Sequence, residues 1–177
     1  MKHLLLVVTG SIAAYKACEL VRAFVKNDID VHVAMTKAAL NFVGEITFRT
    51  LSRNPVYFDQ FAQPTDWRPE HVALSDLCDA ALIAPASADF LAKMVAGIAD
   101  EAPLAALLAF RGPVIVAPAM NDGMWDNPTT QRNMKTLEQR GVIFVDPSFG
   151  ALACGRAGLG RLAPQEDIVK TVLENLK

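Results

Sequence analysis

Cysteine is scarce in this sequence: three in 177 residues, at Cys18, Cys78 and Cys154. An odd number without a Cys-x-x-Cys pair provides neither a disulfide framework nor a zinc motif, so no metal site is expected and a reducing, cytoplasmic setting is. Long hydrophobic runs are also missing. The longest after the opening segment, Ala102 to Phe110, falls short of the roughly 18–20 residues a membrane span needs. Met1 to Val8 is apolar behind a basic start, but it breaks at Thr9-Gly10 without a clear cleavage site and reads as a first strand rather than a signal peptide. Neither sign of charge dominates, with 17 Lys+Arg against 19 Asp+Glu and a net charge of −2. Without a basic cluster, nucleic acid and anionic membrane are excluded as partners. No linker, repeat or low-complexity tract divides the chain, which is expected to form a single domain over 1–177.

The sequence is rich in apolar residues, 52% of the total, which excludes disorder. They fall in short runs that alternate with helical periodicity. Strands are predicted at Leu4–Val8, Val31–Met35, Val56–Phe58, Ala80–Ala84, Pro113–Ala117 and Val142–Val145. Between them, Ala17, Leu20, Val21 and Phe24 recur at i, i+3, i+4 and i+7, the spacing of one buried helix face. Further helices are predicted from Thr36 to Asn41, over Glu45–Ser52 and Glu70–Leu77, from Ser87 to about Gly97, near Leu104–Phe110 and over Thr129–Arg140. A last one carries Ile168, Val169, Val172, Leu173 and Leu176 on one stripe. Gln60–Pro69 reads as a loop. Nearly continuous apolar strands alternating with helices are what a parallel sheet covered on both faces requires. The expected fold is therefore α/β, a doubly wound parallel sheet of Rossmann-like or flavodoxin-like type, with ligands beyond the carboxyl ends of its strands.

The strand-end loops there are unusual. Gly10-Ser11-Ile12 after the first strand, Thr36 after the second and Ser87-Ala88-Asp89 after the fourth each place a hydroxyl at a helix start. Free backbone N–H groups and the helix dipole favour a phosphate at such a position. Each alone reads as a plain N-cap; three on one sheet edge read as a phosphate cradle. The first loop is not Gly-x-Gly-x-x-Gly, and no acidic residue ends the second strand to hold an adenosine ribose. A mononucleotide is preferred to a dinucleotide, and FMN is the natural candidate.

Gly10-Ser11-Ile12-Ala13-Ala14-Tyr15-Lys16, His71 at a helix head, Pro85-Ala86-Ser87-Ala88-Asp89, Pro118-Ala119-Met120-Asn121 with Met124-Trp125, and Ala153-Cys154-Gly155 resemble, in that order, the phosphopantothenoylcysteine decarboxylases, which are FMN-dependent cysteine decarboxylases. The resemblance implies decarboxylation of 4′-phosphopantothenoylcysteine to 4′-phosphopantetheine in coenzyme A synthesis. Flavin oxidises the cysteine side chain to a thioaldehyde, carbon dioxide leaves, and the enethiolate is reduced again. It implies His71 as active-site base, Asn121 as the holder of the substrate carboxylate, Met124 as a wall of the same pocket, and Cys154, beside Ala153, as a proton donor on a mobile flap. It assigns the flavin to Gly10, Ser11, Ile12, Thr36, Ser87, Ala88, Asp89 and Met120; Asp89 stands where many relatives have Asn. It also implies a homo-oligomer with the flavin site between subunits, a trimer or a dodecamer built of trimers, and a phosphopantothenoylcysteine synthetase either as a separate partner or, as in many bacteria, fused to this domain.

Bland readings stand beside these. His71 is one of three histidines and could be structural, Asn121-Asp122-Gly123 has the composition of an Asx turn, and Met120, Met124 and Trp125 could be packing. Cys18 and Cys78, in helical stretches with apolar neighbours, read as core. A peptidyl-cysteine decarboxylase, a non-catalytic flavin-binding regulator and an electron carrier remain as alternative functions.

Overall fold

The structure is a computed structural model that describes residues 1–61 and 67–176, so the loop expected over Gln60–Pro69 lies partly outside the described residues. In chain order the strands are β1 (Lys2–Val8), β2 (Ile29–Met35), β3 (Val56–Tyr57), β4 (Ala80–Ala86), β5 (Val114–Pro118), β6 (Ile143–Phe144), β7 (Ser148–Ala151) and β8 (Ala157–Arg161). The helices are α1 (Ala17–Lys26), α2 (Glu45–Ser52), α3 (Glu70–Leu77), α4 (Ala88–Ala96), α5 (Ala102–Ala109), α6 (Asp122–Trp125), α7 (Pro128–Gln139) and α8 (Gln165–Asn175). Short 3₁₀ turns cover Ile12–Lys16 and Ala39–Asn41.

Six strands pair in parallel in the order β3-β2-β1-β4-β5-β6, the doubly wound sheet expected. Leu4 to Val8 are wholly inaccessible because β1 is central and covered on both faces, which is why its sequence is a run and not an alternation. Leu4, Leu6 and Val8 pack with α1, α2 and α8 through Phe24, Phe48 and Ile168. Leu5 and Val7 pack with α4, α5 and α7 through Phe90, Leu104 and Leu137. Burying a side chain the size of Phe24 contributes about 1.5–3 kcal/mol, so these two layers carry the fold.

Three expectations about elements are corrected. β4 does not stop at Ala84; it runs to Ala86, with a register shift between Ile83 and Ala86 that carries the chain past Pro85. Leu173 leaves the α8 stripe and is exposed, because Ile168 and Val172 already fill the contact with the sheet. The segment around Cys154, expected as a loop without regular structure, is an antiparallel hairpin of β7 and β8. Of the two other cysteines, Cys78 is buried just past the end of α3, and Cys18 is partly exposed on α1.

Candidate active site

The sheet changes winding direction between β1, which leads towards β2, and β4, which leads towards β5. A crevice is expected there. A cavity of about 650 Å³ opens at that point, within the size range of small-molecule sites. Its floor comes from the loops after β1 (Gly10, Ser11, Ile12), β4 (Ser87, Ala88) and β5 (Ala119, Met120, Asn121). Ala153 and Cys154 of the hairpin close it from above, and Met124 of α6 lines one wall.

Hydrogen bonds fix the loops to one another. The Thr9 hydroxyl, fully buried, donates to the Pro85 carbonyl at 2.7 Å and accepts from the Ser87 N–H at 2.9 Å. Ser11 Oγ accepts from the Ala13 N–H at 3.3 Å, and Ser87 Oγ from the Phe90 N–H at 3.3 Å. The first turn of α4 has no carbonyls of its own to bond, so its N–H groups point towards the cavity end of the helix. Two hydroxyl-capped helix starts beside a wall of Ile12, Met120 and alanines suit a ligand with a phosphate at one end and a flat ring at the other.

Asn121 joins two readings in one side chain. Its Oδ1 accepts from the Gly123 N–H at 2.9 Å and caps α6, as an Asx turn does, while its Nδ2 lies 3.4 Å from Cys154 Sγ. A backbone hydrogen bond from Arg156 and, next, the Arg156 guanidinium hold the exposed Cys154 thiol below its ordinary pKa. The same guanidinium pairs with Asp122 at 3.3 Å. Thiol alkylation should therefore titrate at lower pH than in free cysteine. In Arg156→Ala the midpoint should move up only part of the way, because the backbone N–H remains; an unchanged pH profile of iodoacetamide labelling would count against this arrangement.

The hairpin reaches the floor through glycine. Gly160 has φ +137° and its N–Cα–C unit lies against the Met120 carbonyl, where a Cβ would overlap the oxygen; at Gly158 a Cβ would come 2.8 Å from the Asp122 Cβ. The Met120 N–H donates to the Gly160 carbonyl at 2.9 Å. Any side chain at these positions would lift Cys154 away from Asn121.

Three sequence-predicted residues do not meet in this cavity. Thr36 is buried and its hydroxyl accepts from the Ala39 N–H at 3.1 Å, so it caps its own 3₁₀ turn instead of joining the cradle. Asp89 points out to solvent and pairs with Lys93 at 3.7 Å, one of three carboxylates around that lysine with Asp100 and Glu101. His71 occupies the second position of α3, which packs against α5, and does not line the cavity of its own chain. Conversely, Lys16 and Arg161 line the cavity and were not singled out. Burial and, next, the charge of Arg161 lower the Lys16 pKa, which marks two cations facing one space. Lys16 is the last residue of the Gly10–Lys16 motif, and that membership was the available signal.

The flavoprotein family model matches residues 1–177. The chain belongs to the flavoprotein family. Among its flavoprotein relatives, the coenzyme A biosynthesis bifunctional protein of Bacillus subtilis is 44% identical over 169 residues, covering 96% of this chain and 42% of that protein. This flavoprotein chain thus spans about two fifths of the length of the bifunctional relatives it matches. A Streptococcus mutans protein described as a probable phosphopantothenoylcysteine decarboxylase is 40% identical over 177 residues, covering 99% of each. In structure, a variant of PPC decarboxylase complexed with pantothenoylaminoethenethiol is similar with a TM-score of 0.90 at 30% identity, covering 98% of this chain and 97% of that one. Family membership brings a flavin cofactor, and the two hydroxyl-capped helix starts fit one. Among the described residues no helix is long and apolar enough to cross a membrane.

Proposed function

We propose that the chain is an FMN-dependent decarboxylase acting on 4′-phosphopantothenoylcysteine and giving 4′-phosphopantetheine in coenzyme A synthesis. The observation that carries this reading is the 3.4 Å contact between the Asn121 amide and the Cys154 thiol inside a cavity floored by the Ser11 and Ser87 helix caps. The relatives described as phosphopantothenoylcysteine and PPC decarboxylases support the substrate. The mononucleotide is favoured over a dinucleotide because β2 ends at Met35 with Thr36 next in the chain, neither of them a carboxylate for a second ribose.

Ser11, Ser87 and the first N–H groups after them would hold the flavin phosphate, with Gly10, Ile12, Ala88 and Met120 around the remainder. When bound, FMN supplies the electron sink that a cysteine side chain lacks. The Asn121 amide, its oxygen committed to the α6 cap, presents N–H to the substrate carboxylate and to Cys154. Met124 confines the reacting side chain. Cys154, made acidic by Arg156, delivers a proton to the carbon left after carbon dioxide departs. Lys16 and Arg161 offer two positive charges to the substrate's own phosphate at the far side of the cavity. His71 acts as base from a neighbouring copy in a homo-oligomer, a trimer or a larger assembly of trimers. Exposed Ile12, Tyr15 and Met124, which line the cavity, support such a contact surface. The setting is the cytoplasm, and a phosphopantothenoylcysteine synthetase supplies the substrate.

The purified protein is expected to be yellow, or to become so with added FMN, and to release carbon dioxide from 4′-phosphopantothenoylcysteine. Flavin binding without carbon dioxide release from that substrate would overturn the catalytic reading in favour of a regulatory flavoprotein. Release from a peptide ending in cysteine, and not from the phosphorylated substrate, would move the specificity to peptides.

A further inference from the structure

Far from the cavity, towards the amino ends of the strands, lie the two histidines not used above. Strand pairing sets His3 of β1 beside Asp30 of β2, and His32 follows two residues later on the same face of the sheet. His3 Nδ1 is 3.2 Å from His32 Nε2 and 3.3 Å from Asp30 Oδ2, and His32 Nε2 is 3.4 Å from the same Asp30 oxygen. The three atoms form a nearly equilateral triangle. Each imidazole nitrogen directs inward either one hydrogen or one lone pair, so no placement of protons satisfies all three edges at once. One cation does.

We propose that His3 Nδ1, His32 Nε2 and Asp30 Oδ2 form a binding site for a divalent first-row transition ion, with Zn²⁺ as its simplest occupant. A point about 1.9 Å from all three atoms lies at the centre of the triangle, so an ion at the roughly 2.0–2.1 Å of zinc–nitrogen and zinc–oxygen bonds sits just above its plane. Two imidazoles with one carboxylate select such ions over Mg²⁺ or Ca²⁺, which prefer oxygen alone. The carboxylate is oriented from behind, because the Asn54 amide donates to Asp30 Oδ1 at 2.6 Å and leaves Oδ2 turned to the histidines. The side chains are partly exposed, 28% for His3, 26% for Asp30 and 13% for His32, which leaves an open side for water as a fourth ligand. The ion would clip the start of β1 to β2. No sequence motif announces the site: 26 residues lie between His3 and Asp30, and only the β1–β2 register closes the gap.

The test uses the full chain with its flavin, stripped with a chelator and titrated with Zn²⁺ alone. One zinc per chain should survive gel filtration. Zn²⁺, and not Mg²⁺, should raise the thermal midpoint, as any ligand of the folded state does. Co²⁺ in its place should give the visible absorption of a four-coordinate site. His32→Gln should weaken Zn²⁺ binding by about 100-fold or more and leave carbon dioxide release unchanged. Should Asp30→Asn fail to fold for want of its Asn54 bond, His3→Gln, near the start of β1, supplies the second variant. Cys154→Ser and His71→Gln should bind zinc as the parent does. Zinc affinity equal to the parent's in folded His3→Gln and His32→Gln, or loss of zinc with Cys154→Ser, would overturn the assignment.

Discussion

In its first turnover Cys154→Ser should still release carbon dioxide at close to the parent rate and then fail to finish. The early steps take nothing from position 154, whereas the last needs an acid at the cavity roof. A free thiol has a pKa of about 8.5, and at Cys154 the Arg156 backbone N–H and guanidinium push it lower still. A serine hydroxyl is a far weaker acid, and the Asn121 amide beside it donates only a hydrogen bond and has no proton to give up. The product, one per flavin until oxygen takes up the two electrons left there, is the enethiol, lighter than 4′-phosphopantetheine by one pair of hydrogens, which mass spectrometry of the reaction mixture resolves. Normal product at the parent rate would mean that water or another side chain is the proton source, and the hairpin would then be a cover only.

His71→Asn should reduce carbon dioxide release by about 10²–10⁴-fold, the range typical of a lost general base, and leave the flavin in place. The flavin is retained because the Ser11 and Ser87 caps belong to other elements than α3. Asparagine preserves size and hydrogen bonding but cannot exchange a proton near neutrality. Mixing His71→Asn and Cys154→Ser chains, neither of which completes turnover alone, tests the geometry as well. If the base comes from a neighbouring copy, exchanged oligomers contain some cavities with both native residues, and complete turnover returns. No recovery in demonstrably mixed oligomers, or full activity of folded His71→Asn alone, would remove His71 from the reaction.

The fold was legible because strands buried on both faces cannot hide their composition. Leu4–Val8 and Ala80–Ala84 are unbroken apolar runs, and even the two-residue edge strand β3 announced itself through Val56-Tyr57. The hairpin was not legible, since β7 and β8 cover no core on either face and consist largely of glycine and alanine. The register that stacks Gly158 and Gly160 on Asp122 and Met120 is set by close backbone approach, which leaves no periodic trace. The site residues divide in the same way. Ser11, Ser87, Met120, Asn121 and Cys154 follow strand ends or sit in recognisable motifs, and they do meet. Thr36 has the same chemistry at the same kind of position, but its turn tightens onto its own hydroxyl. Arg161 could not be assigned from local sequence, because only the fold of the hairpin returns it to Lys16.

The hairpin shares no strand with the six-stranded sheet, and its described hydrogen-bond and ion-pair attachments are few: the Met120–Gly160 backbone bond, the Asn121–Cys154 contact and the Asp122–Arg156 pair. Elements held so lightly open at a free energy well below that of the whole domain. On gradual warming, the protein thus has two separate failure points. Proteases and hydrogen exchange reach the ribbon while the amides of β1 and β4 are still sealed, and the half-life of activity is set by a few contacts at the rim rather than by the strength of the core.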